Sequence, residues 1–204
     1  MTSNFVIFGK PEFIKVYDLN GNKIKEINDS KNCILFIDTY YDSKLAKNYI
    51  IIGNNEENIK TYDYENNNKY NEYKCNFIYR CSSIIIDDNQ QGTINLIGSL
   101  NKVLDDGYIG IWNFHKGDLI KLISLDVPGV CGICLWDYDN LFIGDKDGNI
   151  KLIDIKNRKI VNNFKAHKED IASIKKINHP KYGNCLISQA YEEHGKIKIW
   201  LNKN

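Results

Sequence analysis

A short phrase that alternates apolar and polar residues recurs five times and limits the folds this chain can adopt. Alternation at period two is typical of a half-buried β-strand. Each copy contains an aromatic residue or Ile that is followed mostly by Asp or Asn and is here called the anchor. The anchors are Tyr17, Tyr62, Trp112, Ile153 and Trp200. Successive anchors lie 41 to 50 residues apart, and no helical apolar spacing is sustained between them, which argues against a helical repeat. The five copies are FIKVYDL (13–19), NIKTYDY (58–64), YIGIWNF (108–114), NIKLIDI (149–155) and KIKIWLN (196–202).

The segments between anchors repeat as well. After each of the first four anchors comes a patch rich in Asn, Asp, Gly and Lys, which suits a tight hairpin turn. Further alternating stretches follow, so each repeat supplies four short strands. The chain starts on the second strand of one set, contains three complete sets and ends on the third strand of another. This pattern predicts an all-β chain of 18 strands.

These phrases resemble the repeats of the WD40 β-propeller family over residues 5–204. Asp106-Gly107 and Asp147-Gly148 match the turn that precedes the anchoring strand in that family, and Trp112 matches its tryptophan. The resemblance implies one unit, residues 1–204, built as a WD40-like β-propeller arc of about four and a half four-stranded blades. The residues that carry the repeat are Tyr17, Asp18, Tyr62, Asp63, Asp106, Gly107, Trp112, Asp147, Gly148, Asp154, His167 and Trp200.

The family's blades are often held by a network of His, Ser or Thr, Asp and Trp. The last repeat here has His167, within KAHKEDIASI, and Trp200, but His194 stands where the Asp is expected. No repeat shows all four members. We therefore expect degenerate blades that are stabilised mainly by packing between sheets.

The family usually has seven blades, and its last blade is completed by a strand from the start of the chain. The present sequence starts one strand into a blade. It is therefore interpreted as the C-terminal part of a larger propeller, completed by a missing N-terminal segment or by a partner. A self-closed ring of four or five blades is the alternative.

Composition excludes several classes of function. The 27 basic and 26 acidic residues leave a net charge of +1, and only two of the basic residues are Arg, which argues against nucleic-acid binding. No apolar stretch is long enough to span a membrane, and no secretory signal is visible. Six sparse Cys indicate reduced thiols in the cytoplasm, with the nucleus left open. The 27 Asn, 25 Lys and 32 Ile are explained by an AT-rich genome.

Isolated chemical groups do not combine into a catalytic, cofactor or metal site. Cys131 and Cys134 have the spacing of half a zinc site, but residues three apart on a strand point to opposite faces. His167 is interpreted as a structural histidine, and His115 and His179 as exposed turn residues. The stretch 145–149 loosely resembles a calcium loop, and a tight turn explains it better.

The remaining candidate is a surface formed by two sets of loops that share one face of a propeller. Tyr and Arg are frequent in binding hot spots. The expected function is therefore a non-catalytic protein–protein interaction scaffold with other proteins as partners. A ubiquitin-ligase substrate receptor is weakened because none of the five residues three places after an anchor is Arg. A propeller enzyme or metal protein is the third alternative. The candidate surface residues are Tyr79, Arg80, Lys146, Tyr191, Glu192 and His194.

Overall fold

The computed structural model describes residues 5–10, 13–28, 34–54, 58–74, 78–88, 93–101, 106–191 and 196–201. For 78–88 and 93–101 the backbone alone is described. These residues contain the 18 expected strands and no helix, so the prediction of an all-β chain is confirmed. Among them, no helix is long and apolar enough to cross a membrane. The bounds of 1–204 as one unit and the propeller arrangement stay predictions.

The strands form five antiparallel sheets in which each strand pairs with its neighbours in the chain. Sheet 1 contains β1(Phe5–Lys10), β2(Phe13–Asp18) and β3(Lys23–Asn28). Sheet 2 contains β4(Ile34–Asp42), β5(Lys47–Asn54), β6(Asn58–Asp63) and β7(Lys69–Lys74). Sheet 3 contains β8(Ile78–Asp88), β9(Thr93–Asn101), β10(Asp106–Asn113) and β11(Leu119–Pro128). Sheet 4 contains β12(Val130–Leu135), β13(Asn140–Asp145), β14(Asn149–Asp154) and β15(Lys159–Lys165). Sheet 5 contains β16(Ile171–His179), β17(Gly183–Ala190) and β18(Ile197–Leu201).

One turn design follows the anchor in sheets 1 to 4. The residue directly after each anchor accepts hydrogen bonds from backbone N–H groups of the turn through a side-chain oxygen. Four residues in these turns have positive φ, two of them Gly and two tolerated non-Gly positions. The accepting side chains are Asp18, Asp63, Asn113 and Asp154, and the positive-φ residues are Gly21, Asn67, Gly117 and Arg158.

Successive sheets pack face to face through four hydrophobic clusters, one at each junction. The residue three places before each of the first four anchors is an Ile that is 0% exposed and belongs to the cluster shared with the following sheet. The anchor of the following sheet lies in the same cluster. The four pairs are Ile14 with Tyr62, Ile59 with Trp112, Ile109 with Ile153, and Ile150 with Trp200.

The series of sheets curves. The first strands of neighbouring sheets contact each other from sheet 2 to sheet 5, through the pairs β4–β8, β8–β12 and β12–β16. Residues of β4, β12 and β16 also line one cavity, so sheets 2 and 5 approach each other although two sheets separate them in sequence. This convergence brings first-strand residues to one place.

Candidate functional site

The cavity between the first strands has a volume of about 330 Å³. Phe36 and Ile37 of β4 and Ala172 of β16 give it apolar walls, while Asp170 and Tyr191 lie beside it at the end of sheet 5. Tyr191 is 73% exposed. Ser173 and Lys175 add polar groups to the lining, and a hollow with both apolar and polar walls is suited to holding a side chain of a partner.

A charged pair lies at the same place. Asp38 on β4 interacts electrostatically with Lys175 on β16. Burial raises the pKa of the Asp38 carboxyl, while a hydrogen bond from the Thr39 N–H and the charge of Lys175 oppose that rise. The carboxylate therefore carries a desolvation cost in the folded protein.

Connections between successive sheets and turns between the second and third strands of a sheet lie at one end of the sheets. This end is here called the upper face and comprises 128–129, 145–149, 166–170 and Tyr191. In sheet 4 the Lys146 N–H donates to the Pro128 carbonyl, and in sheet 5 the Tyr191 N–H donates to the Asp170 carbonyl. The sequence prediction placed Lys146 and Tyr191 on one face, and both lie here. The other predicted surface residues, Tyr79, Arg80, Glu192 and His194, lie outside the described side chains.

The turn 145–149 is held by its own side chains. The Asp145 carboxylate is fully buried, accepts a hydrogen bond from the Asn149 N–H at 2.8 Å, and forms an ion pair with Lys151 at 2.5 Å. Gly148 has a φ of 75°, and a Cβ there would lie 2.5 Å from the carbonyl oxygens of His167 and Glu169. The Asp145 contacts and the Gly148 backbone belong to a tight, closely packed turn.

A polar chain in sheet 5 joins three residues, one of which the sequence analysis did not identify. The Trp200 Nε1–H donates to the Ser188 Oγ at 2.8 Å, and His167 Nε2 lies 2.8 Å from the same oxygen. The indole N–H can only donate, so it occupies one acceptor position of the Ser188 hydroxyl, and the tautomer of His167 decides which partner donates in the second hydrogen bond. His167 is 2% exposed and Ser188 0%. Ser188 could have been identified as the small hydroxyl residue on the strand paired with the anchor strand.

A recurring hydrogen bond between sheets was also missed. The carbonyl two places after an anchor accepts a hydrogen bond from a side chain on the last strand of the preceding sheet. Lys25 donates to the Tyr64 carbonyl, the Tyr73 hydroxyl donates to that of Phe114 at 2.7 Å, and Lys121 donates to that of Ile155 at 3.1 Å. The donors are chemically different, so no sequence motif identifies them.

His115 was expected to be solvent-exposed, and the structure gives it specific contacts as well. Its Nδ1 shares a hydrogen bond of 2.8 Å with the Tyr70 hydroxyl, and its Nε2 lies 3.4 Å from Asp42 Oδ2. Asp42 is 1% exposed and lies in sheet 2, whereas His115 lies in the β10–β11 turn of sheet 3. The contact therefore crosses a sheet junction. His179 is half-buried, and its ring lies against Tyr182.

The two closely spaced cysteines have different surroundings. Cys131 lines the cavity, whereas Cys134 is buried in the cluster between sheets 4 and 5. Burial raises the pKa of the Cys134 thiol. Within the described ranges, no group of three His, Cys, Asp or Glu side chains is arranged to hold a metal ion.

The other repeat residues occupy structural positions. Tyr17 is half-buried at the start of the series, and Asp147 is exposed in its turn. Gly107 is buried close to Val127 and Val130. Only the backbone of Asp106 is described, paired with Pro128.

Comparison with known proteins supports the fold more than a specific identity. No family model matches the chain. It is 26% identical over 114 residues to the U3 small nucleolar RNA-associated protein 21 homolog of Schizosaccharomyces pombe, which covers 53% of the chain. The chain spans 12% of that relative's length. The crystal structure of the computationally designed Ika8 protein superimposes with a TM-score of 0.63 at 17% identity, covering 99% of this chain and 57% of the designed one. That likeness concerns the fold alone.

Proposed function

We propose that the chain is a non-catalytic protein–protein interaction scaffold of WD40 type, with its five sheets arranged as an arc of a β-propeller. The observation that carries the proposal is that five antiparallel sheets repeat one anchor register, and that the first strands of sheets 2, 4 and 5 line one cavity. Rigid repeated sheets present connections at defined positions, which suits docking of other proteins. The upper face, with the cavity and Tyr191, is the proposed docking surface.

The name of the relative bears on where in the cell the proposed scaffold acts. A protein named for its association with a small nucleolar RNA favours a nuclear assembly over the cytoplasmic location expected from composition. With a net charge of +1, the chain would join such an assembly through protein contacts rather than by neutralising RNA phosphates.

The test is quantitative affinity capture from cells with the wild type and two tyrosine variants. Tyr191→Ala removes an exposed ring on the upper face, whereas Tyr182→Ala removes one that is 45% exposed in the β16–β17 turn of the same sheet. Loss of specific protein partners in Tyr191→Ala alone supports the proposal. Equal capture by all three proteins contradicts the placement of the docking surface.

Two further measurements on the same samples test whether partners are tethered by RNA and whether the chain binds a metal. Partners that persist after ribonuclease treatment are held by protein contacts, and partners that disappear were tethered by RNA. A stoichiometric metal in the purified chain, measured by elemental analysis, would favour a metal protein over a scaffold.

A further inference from the structure

Sheet 5 exposes an isoleucine whose equivalents in the other four sheets are buried. Ile197 occupies the position three places before an anchor, where Ile14, Ile59, Ile109 and Ile150 are each 0% exposed. Ile197 is 64% exposed. At the other four positions a following sheet covers the side chain, whereas no sheet among the described residues covers Ile197.

Strand alternation defines the rest of this face. Trp200 belongs to the cluster shared with sheet 4, and Lys198 donates to the Ala166 carbonyl at 2.5 Å, so both point toward sheet 4. Alternate residues on β18 point the other way. They are Ile197, Ile199 at 56% exposure and Leu201 at 43%, which form a row of three large apolar side chains. We call this row the β18 face.

The chain also contains the complementary surface. At each of the four junctions, the Ile three places before an anchor packs with the anchor of the following sheet. In sheet 1 the anchor is Tyr17. Ile14 and Val16 point into the cluster with sheet 2, so Tyr17 and Lys15 point outward by alternation. Val6, which is 38% exposed, pairs directly with Tyr17.

Charge does not oppose contact between these two surfaces. Beside Tyr17, Lys15 lies 3.9 Å from Glu26 and its ammonium lies over the Phe13 ring, so its charge is balanced within sheet 1. The β18 face itself carries no charged side chain among its three described residues. Burying three apolar side chains of this size would be a favourable contribution to association.

From this continuity we propose that the β18 face is a self-association surface, on which the outward face of sheet 1 of a second copy docks. The contact reproduces the junction geometry already present four times, with Ile197 of one copy against Tyr17 of the next. It joins different patches on the two copies, so it generates a ring if the rotation closes and a chain if it does not. The inference rests on the junctions and is independent of the docking role of the upper face.

Light scattering after size-exclusion chromatography, over a wide range of protein concentration, tests this directly. The wild type is expected to exceed the single-chain mass of 23.6 kDa as concentration rises. Ile197→Glu places a charge on the face and is expected to hold the mass at one chain. Val161→Glu is the matched control, because Val161 is 53% exposed on β15, away from the face, and should behave as wild type.

A cross-linking experiment identifies the docking partner. Two differently tagged proteins, one carrying Ile197→Cys and the other Tyr17→Cys, are mixed and oxidised, and the linked peptides are mapped by mass spectrometry. A bond between positions 197 and 17 of different tags is expected, and Val161→Cys in place of Ile197→Cys should lose it. Circular dichroism melts show whether each variant is folded.

Several results would overturn the proposal. A folded wild type that stays at one chain at every concentration excludes self-association. Association that persists unchanged in a folded Ile197→Glu protein places the contact elsewhere. Cross-linking of Val161→Cys as strong as that of Ile197→Cys shows non-specific collision.

Discussion

Sheets 2 and 5 carry the same isoleucine in the same register, with opposite surroundings. Ile59 is completely buried between sheets 2 and 3, in contact with a cluster that includes Trp112, whereas Ile197 is 64% exposed. The local sequences, NIKTYD and KIKIWL, alternate in the same way. The difference shows that a repeat sequence specifies a strand and its two faces, and that the neighbouring sheet decides which of those faces is covered.

The largest loss of stability is expected at a tryptophan anchor that a neighbouring sheet covers completely. Trp112 is 0% exposed among the side chains of sheets 2 and 3, whereas Trp200 is half-buried at the junction of sheets 4 and 5. Trp112→Ala is expected to lower the free energy of unfolding by about 3–5 kcal/mol, and Trp200→Ala by clearly less. Equilibrium denaturation of both variants measures this. Equal losses would contradict the idea that the junction of sheets 2 and 3 is packed more completely than the junction of sheets 4 and 5.

Ser188 tests whether sheet 5 depends on its polar chain. Ser188→Ala removes the oxygen that both Trp200 and His167 contact, and it leaves buried polar groups without that partner. The expected loss is about 1–3 kcal/mol in the free energy of unfolding. Ser124→Ala, an exposed serine on β11, is the control and should change stability little. A loss no larger than the control's would show that packing alone holds the sheet.

Most of the fold can be predicted from the pattern of the sequence, whereas fewer of the contacts around the candidate site can be predicted. Alternation and turn residues predict all 18 strands, because each strand displays its periodicity locally. The junction contacts of Lys25, Tyr73 and Lys121 are not predictable, because their acceptors are backbone carbonyls that carry no residue signature. The pairing of His115 with Asp42 was also missed, since the two residues lie far apart in sequence and meet across a junction.

Asp63, at the β6–β7 turn of sheet 2, offers a smaller, pH-dependent test. Burial opposes its ionisation, but the Lys47 ammonium at 2.8 Å and turn N–H groups more than compensate, so the pKa of the Asp63 carboxyl is lowered. The stability that it contributes is therefore present above its ordinary pKa and is lost as the pH falls through the lowered value. Asp63→Asn should cost about 1 kcal/mol at neutral pH and flatten the acid side of the stability profile.

The control for this test is Asp147→Asn, which changes an exposed carboxylate in another turn. Denaturation at a series of pH values compares the two variants with the wild type. An Asp63→Asn profile that runs parallel to the wild-type profile through the acid range would contradict the linkage.

Asp38 should show the smallest effect and the opposite sign. Burial raises the pKa of this carboxyl, so its contribution favours the folded protein at low pH and declines as the pH rises through the raised value. Asp38→Asn keeps an acceptor for the Thr39 N–H and removes the buried charge. A gain of a few tenths of a kcal/mol is expected at neutral pH, after the lost attraction to Lys175 is subtracted. A clear loss would show that the pair with Lys175 stabilises the cavity.

The central claim, that one junction repeats along the chain and is left open at sheet 5, is tested most directly by an isoleucine-to-alanine series. Ile14, Ile59, Ile109, Ile150 and Ile197 are each changed and unfolded with denaturant at low protein concentration, where the chain is dissociated. The four inner variants should lose about 2–5 kcal/mol each, and Ile197→Ala should stay within about 0.5 kcal/mol of the wild type. A loss at Ile197 as large as at the inner positions would contradict the account, because a further part of the same chain would then cover that face.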